Sequence, residues 1–311
     1  MATSTSDPNG SLIKVLRVRH LIFLAVGGTI ASGFYLASGG AIALAGPAVL
    51  ITYVIAGLVT IGVMACLAEL SVQGYSAAGF AKYAKDMFGP LIGFLTGWNY
   101  WLAWVPGLSA EAIAVGTYLH AFNIFQAYPI WAIAGVVLII DCAINLIGVL
   151  TMGNYELTLS AIKIAVLTIF ALVGVAAILG IGMAPVGLAN YSGQGGFFPL
   201  GVGGLFTSFL LVFYAYTGIE LVSVSSEESV HPERDVPRAL IGSAAIVMVI
   251  FVGVIAVLLA LSSWKALGTS SSPLIDALNG IHQPVIANLM TLGIVIASIL
   301  LPSGSRMNAP K

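Results

Sequence analysis

Apolar residues fall into eight long runs, at 20–45, 47–70, 90–120, 128–150, 156–182, 199–226, 238–263 and 285–302, with short polar connections between them. A helix needs about 20 apolar residues to cross a bilayer, so the pattern predicts eight membrane spans. The third and sixth runs are longer than one crossing requires, which implies tilt or a break. The stretch 72–89 is too polar to span. Its Phe80, Tyr83, Ala84 and Met87 recur at helical spacing, while Lys82, Lys85 and Asp86 fall elsewhere. That pattern predicts a short amphipathic helix on the inner membrane face.

Two runs carry an irregularity. Residues Gly27 to Phe34 read GGTIASGF, with three glycines, a threonine and a serine in eight positions. A glycine inside a helix costs roughly 1 kcal/mol against alanine, and an opened turn at membrane depth is tolerated only where it is buried in protein or lines a cavity. The stretch is therefore either a packing surface, with Gly28 and Ser32 as a small-xxx-small pair, or a break that presents backbone to a ligand. The sixth run repeats the feature: Phe209 to Tyr216 is aromatic and apolar, then come Thr217, Gly218, Ile219 and Glu220, then Leu221 to Ser226. Interrupted spans in corresponding positions of two halves point to a transporter site. Here the first and sixth spans are interrupted, which fits two five-helix repeats of opposite topology. An opened turn frees N–H groups at the start of one half-helix, which suit a carboxylate. It frees C=O groups at the end of the other, which suit an ammonium. A site wanting both charges suits an amino acid.

Composition supports a membrane location. The 311 residues are 59% hydrophobic and 7% charged, and mean hydropathy is +1.05, whereas a soluble domain carries about 25% charged residues. The first apolar run is too long for a signal-peptide core and is expected to be the first span, retained in the mature protein. With the N-terminus inside, Lys14, Arg17, Arg19, Lys82, Lys85, Arg234, Arg238, Arg306 and Lys311 lie on the inner side, nine of the 11 basic residues. Lys265 alone lies outside and Lys163 lies within a span. The positive-inside rule thus predicts a cytoplasmic N-terminus for this multi-pass protein, and the plasma membrane is the expected location. It also puts the sequon Asn190-Tyr191-Ser192 outside. The net charge of −1 and the lack of a basic cluster beyond the first twenty residues argue against nucleic-acid binding. Cys66 and Cys142 read as small apolar residues, not as a disulfide or metal site. His20, His120, His231 and His282 all stand at segment ends, as interface residues. There is no HExxH, Walker A, G-x-S-x-G or dinucleotide fingerprint, so neither an enzyme nor a cofactor is expected, and energy would come from an ion gradient.

The residues also carry a family resemblance. GGTIASGFYLASG in span one, GPAVLITYVIAGL and Ala68-Glu69-Leu70 in span two, and GWNYW at Gly97 to Trp101 stand in order. They are followed by Asn145 with Gly148, Ser160 to Lys163, FYAYTGIEL at Phe213 to Leu221, and EESVHPERDVPRAL at Glu227 to Leu240. This ordered set resembles the amino acid permeases of the amino acid–polyamine–organocation superfamily. The resemblance implies an all-α integral membrane fold of two inverted five-helix repeats, with broken helices one and six. It implies a proton-coupled carrier that imports amino acids by alternating access. By position it implies that the amides of Ser32 and Gly33, beside Ala31, hold the substrate carboxylate, and that the carbonyls of Thr29 and Thr217 take its ammonium. Tyr214 would lie over the substrate. Glu220 matches an acid of proton-linked gating, and Lys163 a lysine that stands where sodium-coupled relatives bind a cation.

The residues alone allow other roles. Lys163 could snorkel to the inner surface, since Glu156 lies roughly 10 Å down the same helix. Glu220 could cap the second half-helix. Glu111 and Asp141 are deeper acids. Asp141 shares a face with Asn145, and the family does not usually have an acid there. The aromatic group Trp98, Tyr100, Trp101 and Trp104 reads as core and interface packing. Family members usually have twelve spans, so the chain is expected to be truncated after the eighth, with a second repeat that is incomplete. The expected organisation is an inner tail at 1–19, a first repeat at 20–182, an outer loop at 183–198, a partial second repeat at 199–302 and a tail at 303–311. The alternative to a transporter is a non-transporting membrane remnant or assembly partner.

Overall fold

The computed structural model describes residues 17–72, 79–120, 122–147, 152–182, 184–224 and 229–298. Residues 1–16 of the predicted inner tail at 1–19, the predicted tail at 303–311 and the end of the eighth run from 299 lie outside the described residues, as do Gly148, Glu227, Glu228 and the side chains at Ser32, Gly33, Asn145 and Glu156. The described residues fold into α-helices joined by short turns.

The first apolar run divides in two. Helix α1 spans Val18–Thr29 and α2 spans Ser32–Ala45. Between them Ile30 (φ −76°, ψ 82°) and Ala31 (φ −126°, ψ −177°) leave helical geometry. The second run is α3, Val49–Val72, entered through the 3₁₀ turn Gly46–Ala48. The amphipathic segment is α4, Gly79–Phe88. The third run is α5, Pro90–Leu119, and it stays continuous through Pro106. So of the two long runs only the sixth breaks. Helices α6 (Ile130–Ile147) and α7 (Met152–Leu179) follow. A short α8, Ala189–Ser192, lies in the next connection.

The sixth run gives α9, Gly201–Ala215, a turn over residues 216–220, and the single turn α10, Leu221–Val224. Helix α11 then runs from Pro232 to Leu261, about 45 Å at 1.5 Å per residue. Two helices that the apolar pattern does not predict come next, α12 (Trp264–Thr269) and α13 (Pro273–Gly280). The eighth run is α14, Pro284–Ser298. Among the described residues, four helical stretches are long and apolar enough to cross a membrane, 37–72, 90–119, 158–179 and 232–261. Helices α1, α6, α9 and α14 are apolar but shorter, and α1 and α9 each end at a break.

The two interrupted spans occupy the centre. Helix α2 packs on α9, and α1 packs on α10, α7 and α11, while α3 fills the gap between α9 and α11. An aromatic core fixes this arrangement. Phe34 stacks on Phe251 of α11 with ring centroids 4.0 Å apart, and Tyr53 and Tyr216 pack edge-on or tilted around the pair. The Tyr216 hydroxyl donates to the Tyr53 carbonyl at 2.9 Å, which ties the second break to α3. On α3, Val54, Ile55, Leu58, Val59 and Val63 remain exposed. An apolar outward stripe of this kind is what a lipid-facing helix requires.

Candidate functional site

The first break forms because Thr29, Ile30 and Ala31 cannot all keep helical bonds. The Thr29 hydroxyl bends back to the Ala25 carbonyl at 2.7 Å, and the Ala31 amide turns to the Thr29 carbonyl at 2.9 Å. Ala31 is the N-cap of α2 and supplies no side-chain cap. The first amides of any helix lack intrahelical acceptors, so those of Ser32 and Gly33 head α2 as donors. Next to them the Ala31 carbonyl accepts from Phe34 at 3.0 Å and closes the new turn. The Thr29 carbonyl, predicted to meet an ammonium, already accepts one amide.

The second break turns on Gly218, whose φ of +113° is open to glycine. Its Cα faces the Gly28–Thr29 peptide so closely that a Cβ would lie 2.8 Å from the Gly28 carbonyl carbon and 2.9 Å from the Thr29 nitrogen. A Cβ on Gly28 would in turn lie 2.8 Å from Leu221. The two irregular stretches therefore pack directly on one another. The glycines at 27 and 28 admit the neighbouring chains, as the packing reading has it, and the helix also opens beside them.

Glu220 closes the second break. Its carboxylate accepts the Gly218 amide at 2.8 Å, and its carbonyl accepts the Ser223 amide at 2.9 Å. The side chain thus bonds the amide ahead of it, inside the break, and borders an open cleft of about 440 Å³ lined by Val63, Met64, Cys66, Leu67, Leu70 and Phe80. Tyr100 of α5 stands within electrostatic reach of it. Thr217 is exposed, with its hydroxyl and amide both directed at the Tyr214 carbonyl, at 2.7 and 3.1 Å. Tyr214 is 40% exposed. Its hydroxyl approaches Gly107 of α5, where a Cβ would come within 3.2 Å.

Lys163 does not snorkel. It is 2% exposed, and its ammonium donates to the Gly27 carbonyl at 2.9 Å. Ser160, one turn earlier, meets Gly27 so tightly that a Cβ there would overlap its side chain. Thr29, Ala31, Ser32, Gly33, Lys163, Thr217 and Glu220 thus gather around one crossing of the two breaks, with Tyr214 on the α5 side. Ser160 and Tyr216 are also part of this frame; both lie in stretches that carry the family resemblance, which gives neither of them a role. The aromatic group of α5 divides: Trp98 and Trp101 face outward, while Tyr100 and Trp104 are half-buried. His20 accepts the Arg17 amide at 3.0 Å, and His120 contacts the Tyr128 carbonyl at 2.6 Å, both at helix ends.

A family profile described as "Amino acid permease" matches residues 20–308. An uncharacterized amino acid permease of Bacillus subtilis is 33% identical over 291 residues, which is 93% of this chain and 62% of that protein. The gamma-aminobutyric acid permease of the same organism is 33% identical over 297 residues, covering 95% of this chain and 63% of the relative. The aromatic amino acid transport protein of Escherichia coli K12 is 31% identical over 289 residues, covering 93% and 63%. The chain spans rather less than two thirds of the length of these relatives.

Proposed function

The chain belongs to the amino acid permease family, and from that membership we propose that it carries amino acids across the cytoplasmic membrane, driven by protons. The observation that carries the reading is the contact of Gly218 with the Gly28–Thr29 peptide, which brings the two interrupted spans together. The family match supports transport of amino acids, and the names of the relatives support amino acids as the class of cargo. The fold is two inverted five-helix repeats, the second represented by α9 to α14.

In this mechanism the substrate carboxylate binds the opening amides of α2 at Ser32 and Gly33, with Ala31 alongside. The favourable end of the helix dipole strengthens that contact. The ammonium binds the carbonyl ends of the two breaks at Thr29 and Thr217. Tyr214 covers the substrate. A proton bound near Lys163 or Glu220 sets when the breaks open to either side, and the bundle rocks between outward and inward states.

Uptake of labelled amino acids into vesicles holding the purified chain, with and without an inward-acid gradient, tests this reading. Accumulation driven by the gradient is expected, and Gly33→Leu should abolish it, because a bulky side chain at the head of α2 would crowd the carboxylate. Absence of uptake by well-inserted protein would return the chain to the non-transporting alternative.

A further inference from the structure

The residue that opens the second break has no task in the mechanism above. Tyr216 is 3% exposed and caps the end of α9, with its amide on the Phe213 carbonyl at 3.0 Å. The hydrogen bonds around it are local. Thr217 bonds the Tyr214 carbonyl, Glu220 takes the Gly218 amide, and the Leu221, Val222 and Ser223 amides turn back to the carbonyls of Gly218, Ile219 and Glu220. Among the described residues of the break, the Tyr216 hydroxyl alone bonds to another helix: it donates to the Tyr53 carbonyl of α3 at 2.9 Å.

That bond needs a gap in α3. A carbonyl within a helix accepts the amide four residues on, which leaves it one lone pair for a second donor. Four residues on from Tyr53 is Gly57. A Cβ there would lie 2.9 Å from the Tyr216 hydroxyl oxygen and would overlap the Met248 side chain of α11. A methionine side chain can swing aside, whereas the hydroxyl cannot move away without giving up its acceptor. Gly57 is therefore the notch through which Tyr216 reaches α3.

The same side chain is tied to both ends of the proposed cargo site. Its ring packs on Phe251 with centroids 5.4 Å apart, and Phe251 stacks on Phe34 at 4.0 Å. Phe34 lies in the first turn of α2, directly after the amides that would hold the carboxylate. Thr217, whose carbonyl would take the ammonium, directly follows Tyr216. The last carbonyls of a helix have no helical donors of their own, so their direction depends on how the end of α9 is held. An amino acid carries its two charges at a fixed separation, and a site for both must hold its partners to within about 0.5 Å. Tyr216 supplies that hold on the ammonium side, with its hydroxyl on α3 and its ring on Phe251.

We propose that Tyr216 is a positioning residue for the ammonium of the cargo. It acts through the Thr217 carbonyl, and Gly57 is the opening that lets it do so. This role rests on the permease reading, which takes the two breaks as the amino acid site.

Binding to the purified chain tests this role without transport. Each protein amino acid is measured beside its deamino acid, which lacks the ammonium, and its decarboxylated amine, which keeps it. For phenylalanine these are 3-phenylpropanoate and phenethylamine. Tyr216→Phe keeps the ring on Phe251 and removes the hydroxyl. It should weaken the amino acids and the amines by about fivefold, the equivalent of one hydrogen bond, and leave the deamino acids unchanged. Gly57→Ala should give the same pattern, and adding Tyr216→Phe to it should weaken binding no further. Gly57→Ala alone serves if Tyr216→Phe does not fold. A general loss of packing would weaken all three sets alike, and that result, or amino acid affinity unmoved by Tyr216→Phe, would overturn the positioning role. In vesicles, Tyr216→Phe should raise KM and leave the maximal rate of uptake near that of the wild type. The expected binding pattern without any uptake would defeat carriage alone. Uptake with all three sets weakened alike would defeat the positioning role alone, and a wild type that binds no amino acid would defeat both.

Discussion

The ammonium of Lys163 donates to the carbonyl of Gly27 at 2.9 Å, two residues before α1 ends. The contact pins α7 to the half-helix that leads into the first break. A buried cation bonded to a backbone carbonyl contributes roughly 1.5–3 kcal/mol. Lys163→Met, which keeps much of the volume, should lower the unfolding free energy of the detergent-solubilised chain by about that amount. On the transport reading it should also remove the response of uptake to a pH gradient. Unchanged coupling in a stable Lys163→Met protein would exclude this lysine from the proton path.

The same interface predicts a compensating pair. A Cβ at Gly27 would overlap the Ser160 side chain, so Gly27→Ala must separate α1 from α7. Overpacking of this kind costs typically about 1–3 kcal/mol. Gly27→Ala combined with Ser160→Gly should recover part of that loss, and Ser160→Gly alone should cost less than Gly27→Ala. A double-mutant cycle read by thermal melting gives the coupling. A strictly additive result would mean that the two positions are not in contact.

Much of this arrangement is legible in the sequence because glycine marks it. Gly27, Gly28, Gly33 and Gly218 stand where apolar side chains would otherwise fill a span, and the helices do open beside them. Partners across long sequence distances are not legible. Nothing in the residues around Lys163 names Gly27, 136 positions away, as its acceptor. Helices α12 and α13 are hidden from an apolar-run reading because they are short. Their local signals are caps: Ser263 accepts the Ala266 amide at 3.4 Å, and Pro273 opens the first turn of α13.

Gly218 supplies a third prediction. Its φ is +113° and its Cα abuts the Gly28–Thr29 peptide. Gly218→Ala therefore meets backbone atoms that cannot rotate away, and it also places a side chain in a conformation that L-residues avoid. A loss of about 1–3 kcal/mol is expected from the contact alone, with a further loss from strain. Gly253, which has open space around it, is the control: Gly253→Ala should leave the melting temperature unchanged or raise it. Equal effects at the two positions would count against the direct packing of the breaks.

The outer connection before α9 is tied down by side chains. The Asn190 amide donates to the Ala260 carbonyl at 2.6 Å, and the Tyr191 hydroxyl donates to the Ala256 carbonyl at 2.6 Å. Ala260 belongs to the last turn of α11, whose carbonyls lack intrahelical donors, so Asn190 caps that helix from outside. The sequon asparagine is thus engaged, and no glycan is expected on Asn190 in eukaryotic membranes, as mass spectrometry would show. Burial pushes the Tyr191 hydroxyl from its ordinary 10 up to about 12, because the phenolate would lose solvation. The folded chain then holds this proton more tightly than the unfolded one. The resulting stability is complete below pH 10 and is lost as pH rises through about 12. Tyr191→Phe should melt earlier at neutral pH by one hydrogen bond, roughly 1 kcal/mol, and should lose less further stability across the alkaline window than the wild type. If both proteins decline in parallel there, the Tyr191 proton does not contribute to holding the loop on α11.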